Sequence, residues 1–399
     1  MKQIGVSSVP FRVFTSVLAI LAGLNLSAAQ VVSFPQLAEL TDNPQVQFEE
    51  LGTSVAISGD VAVVGANNES SQTGAAYVFV KPATGWTNIT QTATLTASDG
   101  VAGDGLGQAV AISGDTIVVA AQNLSTVYLY VKPAGGWTNM TQTAKLTASV
   151  PTSRFGLGLA ISGDTVVIGA YGTNEEGTAY VYQKPGTGWV DMQQTGELLA
   201  TNKGDFGLAV GVSGNTVVVA APTALSQYGV VYVYTKPSGG WTNVRPTAEL
   251  VSAVRNGGSN FGGTISISGS TVIVGAALQS ALTGEAYVFV EPQGGWTNMT
   301  ETADLRPPSG VNLFGASVAI SGNLAVIGTP GYFSFQSGAA YLFVKPKSGW
   351  TTTSHFNAQL QPSDGANEDL FGNAVSVSGL AVLAGAPQQN SLNGAAYIF

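Results

Sequence analysis

The side chains that most often perform chemistry in proteins are scarce in this chain of 399 residues. It contains no Cys and a single His, His355. These counts exclude a disulfide scaffold, thiolate zinc ligands, a Cys nucleophile and any site that needs a histidine cluster. His355 could act as a general base, but no nucleophile stands beside it that the surrounding pattern does not already explain. We therefore expect no catalytic residue and interpret His355 as a surface connector residue.

Carboxylates form the other candidate set, and they cluster in two short acidic segments. The first segment contains Asp99 and Asp104, and the second contains Asp364, Glu368 and Asp369. Such carboxylates could collect a hard cation, or serve an enzyme that acts on polysaccharides. Gly-Asp pairs are also ordinary turn formers that need no metal. We expect turns at these positions, and we predict neither a metal site nor a cofactor.

The composition favours a β-rich globular protein. Hydrophobic residues make up 45% of the chain, charged residues only 9%, and there are 51 glycines. Acidic residues outnumber basic ones by 23 to 14, and the isoelectric point is near 4.6. An acidic protein of this kind offers no electrostatic footprint for phosphate backbones or anionic lipid. We therefore expect no nucleic-acid partner.

Residues 1–29 have the pattern of a secretion signal. Lys2 and Arg12 precede the apolar run 13–26, and small residues follow at 27–29, where a signal peptidase cuts. An uncleaved membrane anchor is the alternative, but a helix over this run would rise only about 21 Å, less than the roughly 30 Å of a hydrocarbon core. We predict cleavage after Ala29, a secreted or cell-surface location, and no membrane span in the remaining chain.

Seven similar units follow the signal, at intervals of about 50 residues. Each unit opens with Leu-Gly or Phe-Gly, at Leu51, Leu106, Phe155, Phe206, Phe261, Phe314 and Phe371. A period of this length indicates stacked units or a propeller. The repeats therefore assign residues 30–399 to a single domain.

Each unit has the pattern of four β-strands. The first ends at Ser-Gly followed in most units by Asp, Asn or Ser, a pair that supplies the positive φ of a two-residue hairpin; Leu380 breaks this rule in the seventh unit. The second strand is continuously apolar, as in residues 61–66, so both of its faces must be covered. The third is rich in aromatic residues, and a Gly-Trp connector precedes the short fourth strand. The protein's six tryptophans all lie in these connectors.

The seventh unit lacks a fourth strand, and residues 37–41 supply one. Leu40 stands where Leu95 and Leu146 stand in the first two units. We therefore predict an all-β, seven-bladed β-propeller of four-stranded antiparallel blades, closed by an N-terminal strand that completes the last blade. Two packed β-sandwiches are the alternative, but they do not predict seven like units with an incomplete last one.

Each unit begins with Phe-Gly or Leu-Gly, and the fullest units have Gly-Ala-Pro at the end of the second strand. This signature resembles the FG-GAP repeat of integrin α-subunit head propellers. Residues 314–330 and 371–387 show it most fully. The resemblance implies a β-propeller used in adhesion or other interactions, and it says little about activity. Integrin-like blades often carry a calcium loop between strands one and two, but here a two-residue turn stands in that place. Because so short a turn cannot surround a calcium ion, we predict no such site and interpret Asp60, Asp115 and Asp164 as turn formers.

The units differ most in the loops that join strands two and three. In an up-and-down blade these loops share one face with the connections between blades, and variable loops on a rigid scaffold commonly bind ligands. We name five aromatic residues there as candidate ligand-binding residues: Tyr171, Tyr228, Tyr332, Phe333 and Phe335. Drift in unconstrained loops is the alternative reading. Five Asn-x-Ser/Thr sequons are possible N-glycosylation sites: Asn68, Asn88, Asn123, Asn139 and Asn298.

These observations predict a secreted or cell-surface, non-enzymatic propeller, most simply a monomer, that binds an extracellular protein or glycan through its variable loops. Two alternatives remain open. One is an enzyme acting on extracellular polysaccharide, with Asp104 or Asp369 at the channel mouth, and the other is a structural component of a wall or matrix.

Overall fold

The computed structural model describes residues 34–43, 49–121, 125–150, 154–172, 176–332 and 336–399. Seven sheets follow one another around a ring, and the first strand of each sheet packs against the first strand of the next. The described residues contain almost no helix, and none of their helices is long or apolar enough to cross a membrane. The predicted seven-bladed β-propeller is confirmed.

The N-terminal strand β1 (Ala38–Thr41) precedes the first blade, and three blades follow it in chain order. The elements of blade 1 are β2 (Ser54–Ser58), β3 (Val61–Ala66), α1 (Glu69–Gln72), β4 (Ala75–Val80), β5 (Ile89–Thr90) and β6 (Ala93–Thr96). Those of blade 2 are β7 (Leu106–Ser113), β8 (Thr116–Ala121), β9 (Thr126–Val131), β10 (Met140–Thr141) and β11 (Ala144–Thr147). Those of blade 3 are β12 (Phe155–Ser162), β13 (Thr165–Ala170), β14 (Thr178–Gln183), β15 (Met192–Gln193) and β16 (Gly196–Leu198).

Blades 4 to 7 repeat this order of elements. The elements of blade 4 are β17 (Val210–Ser213), β18 (Thr216–Ala221), α2 (Ala224–Gln227), β19 (Val230–Thr235) and β20 (Ala248–Leu250). Those of blade 5 are β21 (Thr264–Ser268), β22 (Thr271–Ala276), α3 (Gln279–Leu282), β23 (Glu285–Val290) and β24 (Ala303–Leu305). Those of blade 6 are β25 (Ser317–Ser321), β26 (Leu324–Thr329), β27 (Ala339–Val344) and β28 (Ala358–Leu360). Those of blade 7 are β29 (Val375–Ser378), β30 (Ala381–Ala386), α4 (Gln389–Leu392) and β31 (Ala395–Ile398).

The N-terminal strand closes the ring as predicted. β1 pairs antiparallel with β31, with Leu40 opposite Ala396 and Ala38 opposite Ile398. The N–H of Leu37 also donates to the carbonyl of Ile398 at 2.7 Å. Because β1 is the fourth strand of blade 7, every blade has four strands and the last blade is complete.

A fifth strand in three sheets is a feature that the four-strand prediction omits. The connector strands β5, β10 and β15 pair in parallel with the fourth strand of the preceding blade, which is β1, β6 and β11 respectively. Isolated bridges, such as Leu250 with Met299, make the same contact further round the ring. Each such connector therefore joins its own blade to the one before it.

The hydrophobic core consists of seven clusters, each lying between two neighbouring blades. Six of them contain one of the six tryptophans, whose side chains are at most 9% exposed. The seventh, between blades 6 and 7, has no tryptophan and contains Phe399, with Phe34 packed against it. Gln36 next to this cluster accepts a hydrogen bond from the N–H of Ser363 at 2.8 Å. The N-terminal segment thus stands in for the missing connector.

The repeated glycines allow the blades to approach one another at their inner edges. A Cβ on Gly65 of β3 would collide with the carbonyl oxygen of Gly107 in the next blade, and a Cβ on Gly107 would collide with the carbonyl of Ala75. Gly107 also has a φ of 99°, which side chains rarely adopt. The Phe-Gly and Gly-Ala parts of the signature therefore contact each other across the boundary between blades.

Candidate recognition face

The propeller has two faces of different character. The constant face carries the turns between strands one and two and the tryptophan connectors. The variable face carries the loops between strands two and three and the connections between blades. Antiparallel blade topology separates the two sets of loops in this way.

A closed ring of hydrogen bonds runs round the constant face. The serine that ends each first strand accepts, through its Oγ, the N–H of the turn glycine in the next blade, at 3.0 to 3.3 Å. The seven pairs are Ser58–Gly114, Ser113–Gly163, Ser162–Gly214, Ser213–Gly269, Ser268–Gly322, Ser321–Gly379 and Ser378–Gly59. The Ser-Gly pair of the signature is thus a contact between blades as well as a turn.

The turn aspartates also have a structural explanation. Ser58 pairs directly with Val61, so Gly59 and Asp60 form the predicted two-residue turn, and Gly59 has a φ of 58°. Asp60, Asp115 and Asp164 each form an ion pair with the lysine that follows the third strand of the same blade. These pairs are exposed, so each contributes little to stability.

Three of the sequon asparagines hold neighbouring blades together. The Oδ1 atoms of Asn88, Asn139 and Asn298 accept backbone N–H groups of Glu39, Thr94 and Glu249, at 2.8 to 2.9 Å. All three asparagines are exposed on the connector side, where a glycan would attach through Nδ2. Asp191, Asn243 and Thr352 make the same contact in the blades that lack the sequon at this position. The recurrence of a side-chain acceptor at this position is therefore explained by its hydrogen bond to the preceding blade.

The two remaining sequons differ from these three. Asn68 is half-buried on the variable face, and its side chain forms a hydrogen bond with Glu50. Asn123 lies outside the described residues. A shallow depression of about 570 Å³ lies beside Asn139, and the described residues that line it, Thr94, Thr96, Met140 and Thr141, are uncharged.

The contact made by Asn139 gives a first prediction. We expect Asn139→Ala to lower the free energy of unfolding by about 0.5–1.5 kcal/mol, because the N–H of Thr94 loses its acceptor. Asn139→Asp keeps an acceptor oxygen, as Asp191 does naturally, so it should unfold at nearly the wild-type urea concentration. Urea unfolding of the three proteins checks this, and equal midpoints for the Ala and Asp variants would contradict it.

Four loops of the variable face share one backbone conformation although their sequences differ. The loops that contain α1, α2, α3 and α4 each hold two or three consecutive non-glycine residues in the left-handed region, with φ between 52° and 75°. The loops that join strands two and three are where the sequences of the units differ most, yet these four loops have the same backbone geometry. A left-handed helical residue costs roughly 1–2 kcal/mol, so these turns store strain.

The neighbouring blade holds each strained loop in place. The carbonyl oxygen of Gln72 accepts the N–H of Gly105 at 2.7 Å, and the carbonyl of Leu282 accepts the N–H of Leu313 at 2.7 Å. Gln227 and Leu392 make corresponding contacts. The backbone of these four loops is therefore held by the neighbouring blades.

Of the three candidate tyrosines that the structure describes, Tyr332 has the largest exposed fraction, 52%. Its hydroxyl donates to Oδ1 of Asn373 at 2.8 Å, and Nδ2 of Asn373 contacts the carbonyl of Thr53 at 3.3 Å. These contacts link blades 6, 7 and 1. Partial burial and the nearby charge of Glu50 raise the pKa of the Tyr332 phenol. Phe333 and Phe335 lie outside the described residues.

The other two candidate tyrosines contact different neighbours. The guanidinium carbon of Arg154 lies 4.9 Å from the ring centroid of Tyr171 in blade 3. Tyr228 in blade 4 is 36% exposed and lies near Gly257. The described contacts therefore place the three tyrosines on one face but do not join them in one cluster.

The acidic segments form turns, as expected. Oδ2 of Asp104 accepts the N–H of Val101 at 2.7 Å, and Oδ2 of Asp369 accepts the N–H of Ala366 at 2.5 Å, so each carboxylate closes its own loop. Asp99 contacts Nζ of Lys145 at 2.7 Å, which lowers the pKa of the Asp99 carboxyl. Across the described ranges, no three His, Asp or Glu side chains converge to hold a metal ion. His355 is exposed.

A buried pair of carboxyl groups at the junction of β1 and blade 1 was missed by the sequence analysis. Asp42 is 3% exposed and Glu49 is 1% exposed, and their carboxyl groups lie next to each other. Burial raises the pKa of Asp42. Glu69 and the buried phenol of Tyr77 face the same region. Two buried carboxyl groups this close favour sharing a proton.

This pair predicts how stability depends on pH. Because the pKa of Asp42 is higher in the folded than in the unfolded chain, its contribution to stability is complete below the unfolded pKa, about 4, and is lost as pH rises through the folded value. We expect Asp42→Asn to flatten this dependence and to raise the unfolding midpoint at neutral pH. Thermal unfolding over a pH series checks this. Parallel pH profiles for the variant and the wild type would count against it.

The variable face carries most of the large apolar side chains that the described residues expose. Ten such side chains are at least 36% exposed. Seven lie on this face, namely Val101, Val150, Tyr228, Val254, Leu278, Leu282 and Tyr332. The other three, Leu37, Val190 and Leu380, lie on the constant face. Most of the exposed large apolar side chains of the described residues therefore lie on the same face as the variable loops.

Seven four-stranded blades with one constant and one variable face define a β-propeller suited to interactions. Six segments of the chain match the FG-GAP repeat: residues 34–79, 89–129, 140–182, 244–289, 308–343 and 355–399. The chain therefore belongs to the FG-GAP repeat family, and a likeness to integrin propellers is implied only by this repeat type. None of the curated proteins matches the chain.

The matched segments are offset from the blades. The first runs from β1 to β4, so it joins the fourth strand of blade 7 to the first three strands of blade 1. A sequence unit of this kind links two blades. The gap at 183–243 covers β17–β19, the first three strands of blade 4, which pair in the regular antiparallel way.

Proposed function

We propose that this protein is a secreted or cell-surface, non-enzymatic, monomeric interaction module that binds an extracellular protein or glycan through its variable face. The observation that carries the proposal is the gathering of seven of the ten exposed large apolar side chains on that face. Exposed aromatic residues on a scaffold of packed blades are suited to binding, because little conformational entropy of the scaffold is lost when the ligand docks. Tyr332, Tyr228 and Tyr171 are the proposed contact residues.

The carboxylates support a non-enzymatic role. Catalysis on a polysaccharide needs carboxyl groups that can reach the substrate and exchange protons with it. Asp104 and Asp369 are only 6% and 5% exposed, and both accept a hydrogen bond within their own loop. They are therefore engaged in holding turns.

The sequons are compatible with this assignment. Asn88, Asn139 and Asn298 lie on the connector side, so glycans there would leave the variable face open. We propose that these residues are glycosylated if the protein is made in a host that glycosylates secreted proteins. The test is the loss of mass on endoglycosidase treatment of the secreted protein, which should become smaller when Thr90, Thr141 and Thr300 are changed to Ala. Treatment that leaves the mass unchanged in such a host would contradict it.

The test of the main proposal is a binding screen with matched variants. The chain beginning at Gln30 is applied to glycan and extracellular-protein arrays, with and without chelator. We expect at least one ligand whose binding is weakened by Tyr171→Ala, Tyr228→Ala and Tyr332→Ala together. The matched control changes Leu37, Val190 and Leu380 to Ala, because these exposed apolar side chains lie on the opposite face.

Each outcome of the screen is informative. Equal loss of binding in both triple variants would contradict the assignment to the variable face. Turnover of an arrayed glycan, abolished by Asp104→Asn or Asp369→Asn, would replace the proposal with the enzymatic alternative. Recovery of the protein only by disrupting a polymeric layer, without binding to any arrayed ligand, would favour a structural component.

A further inference from the structure

Two Asn-Gly pairs occur in the sequence, Asn256–Gly257 and Asn393–Gly394. In such a pair the backbone nitrogen of the glycine can attack Cγ of the asparagine. A bond forms between these two atoms, the side-chain amide leaves as ammonia with the proton of the attacking nitrogen, and a cyclic succinimide remains. Water then opens the ring to aspartate or to isoaspartate, whose backbone is one methylene longer. The reaction needs no enzyme, and glycine favours it because no Cβ obstructs the attack.

The first pair lies open in the connection from blade 4 to blade 5, on the variable face. Residues 253–258 are all exposed. Within the described part of the chain, the N–H of Gly257 donates no hydrogen bond and the side chain of Asn256 makes none. The carbonyl of Asn256 accepts the N–H of Ser259, but at 3.3 Å this contact is long. The two reacting atoms can therefore approach each other without the loss of packing or of a strong hydrogen bond.

The second pair is held in a fixed turn. Asn393 has helical backbone angles at the end of α4, with φ −69° and ψ −42°. The N–H of Gly394 donates to the carbonyl of Gln389 at 2.9 Å, and the carbonyl of Asn393 accepts the N–H of Leu51 at 3.1 Å. Rotation of this peptide toward the asparagine side chain breaks both bonds. The same dipeptide is thus protected in blade 7 and open in blade 5.

The product of the reaction bears on the loop that carries Tyr228. The N–H of Gly258 donates to the carbonyl of Gln227 at 3.0 Å, and this contact holds the left-handed α2 loop. A Cβ placed on Gly257 would lie 3.9 Å from the Tyr228 ring. An extra methylene immediately before Gly257 displaces both contacts, and the new carboxylate adds a negative charge beside them. Because left-handed residues are strained, loss of the restraint allows the loop to open.

We propose that Asn256 is a site of spontaneous deamidation, and that its isoaspartate product releases the α2 loop from the connection that leads into blade 5. The variable face thus changes with the age of the protein. This modification goes beyond the proposed function, and only its effect on ligand binding through Tyr228 rests on that function. The experiment uses no ligand, so either proposal can fail without the other.

The experiment compares the two pairs in one protein. The chain beginning at Gln30 is incubated at neutral pH, folded or unfolded in urea, and mass spectrometry follows the conversion of amide to acid in the peptides that contain each pair. In the folded protein we expect Asn256 to react at least about tenfold faster than Asn393, equivalent to about 1.4 kcal/mol in barrier. In urea the two rates should agree within about threefold, because the protection of Asn393 is lost on unfolding.

Two variants separate the chemistry from its consequence. Gly257→Ala keeps the asparagine but hinders the attack, so deamidation should slow about tenfold or more. An added Cβ on Gly257 meets its nearest atom at 3.8 Å and the residue has no positive φ, so the variant should unfold at the wild-type temperature. Freshly prepared Asn256→Asp carries the charge without the extra methylene. Hydrogen exchange at residues 224–229 should be faster in aged wild type than in either variant.

Equal rates at Asn256 and Asn393 in the folded protein would overturn the modification site, as would a rate at Asn256 far below its rate in urea. Exchange at residues 224–229 that stays unchanged in protein shown to contain isoaspartate at position 256 would refute the release of the α2 loop. Equally fast exchange in fresh Asn256→Asp would assign the effect to charge and would also refute the role of the added methylene.

Discussion

Removing residues 30–45 should lower the thermal unfolding midpoint of the protein more than any single substitution considered above. This segment contains β1, which supplies the fourth strand of blade 7. Without it, β31 loses its outer partner, β5 loses the strand with which it pairs, and the cluster between blades 7 and 1 loses Ala38 and Leu40. Circular dichroism against temperature measures the change, and an unchanged midpoint would contradict closure by β1.

A single substitution tests the same contact without altering the chain length. Leu40 is fully buried, so Leu40→Ala should cost about 2–5 kcal/mol. Leu37 lies three residues earlier and is 48% exposed, so Leu37→Ala should change stability by less than about 0.5 kcal/mol. Chemical unfolding measures the free energy of unfolding of both variants. A large loss for Leu40→Ala alone indicates a packed strand, and small losses for both indicate a loosely held terminal segment.

Gly65→Ala should be strongly destabilising for a change that adds a single methyl group, because Gly65 lies against the backbone of the next blade. The added Cβ would meet the carbonyl oxygen of Gly107, which belongs to backbone in the next blade and cannot move aside as a side chain can. Overpacking of this kind costs about 1–3 kcal/mol and occasionally more. We expect a value at the upper end, measured by urea unfolding.

Gly239→Ala provides the matched control for this prediction. Gly239 lies in a connector where an added Cβ has nothing within 4 Å, and it does not have the positive φ that would strain a side chain. The substitution should be neutral or stabilise the protein by up to about 1 kcal/mol, because it reduces the freedom of the unfolded chain. Similar losses at both glycines would refute close approach between the blades as the reason for Gly65.

The architecture could be predicted because the seven units share one pattern of strands and turns. Continuous apolar runs such as 61–66 required cover on both faces, and neighbouring blades supply it. Leu40 matched the fourth-strand leucines of the other units, which predicted the closing strand. Local patterns and long-range contacts agree in such a chain, so that each unit predicts the next.

The contacts between connectors were missed although the sequence contained a signal for them. An oxygen-bearing side chain recurs at Asn88, Asn139, Asp191, Asn243, Asn298 and Thr352, and all six accept an N–H from the preceding blade. At three of these positions the sequon pattern suggested glycosylation, although the feature common to all six positions is a side-chain oxygen that can accept a hydrogen bond. The paired segments β5, β10 and β15 are two residues long, too short for alternation to reveal.

The left-handed loops could not have been predicted from residue preference. At no position do the four segments α1 to α4 all have the same residue type. None of the left-handed residues within these segments is glycine. Tertiary contacts fix this backbone, through carbonyl groups that accept N–H groups of the next blade. The constant spacing from the end of strand two to the next glycine was the one available signal, as from Ala66 to Gly74 and from Ala276 to Gly284.

The sequence placed the candidate site in a set of loops but could not show which of those loops adjoin one another. The sequence pointed to Tyr332 because it lies in a loop rich in aromatic residues, and its exposure fits that role. Which loops become neighbours depends on how the ring closes: Glu50 and Leu392 are far apart in the chain, yet the N–H of Glu50 donates to the carbonyl of Leu392. Linear sequence shows this only after β1 has been placed in blade 7.

Hydrogen exchange at the closing strand tests the account most directly. The N–H of Leu37 donates to the carbonyl of Ile398, and the N–H of Glu39 donates to Oδ1 of Asn88. We predict that the amides of residues 37–41 exchange as slowly as those of residues 395–398, and only through global unfolding of the ring. Exchange at 37–41 that is orders of magnitude faster than in β31 would show that the terminus is frayed, and that the propeller is not closed by its N-terminal strand.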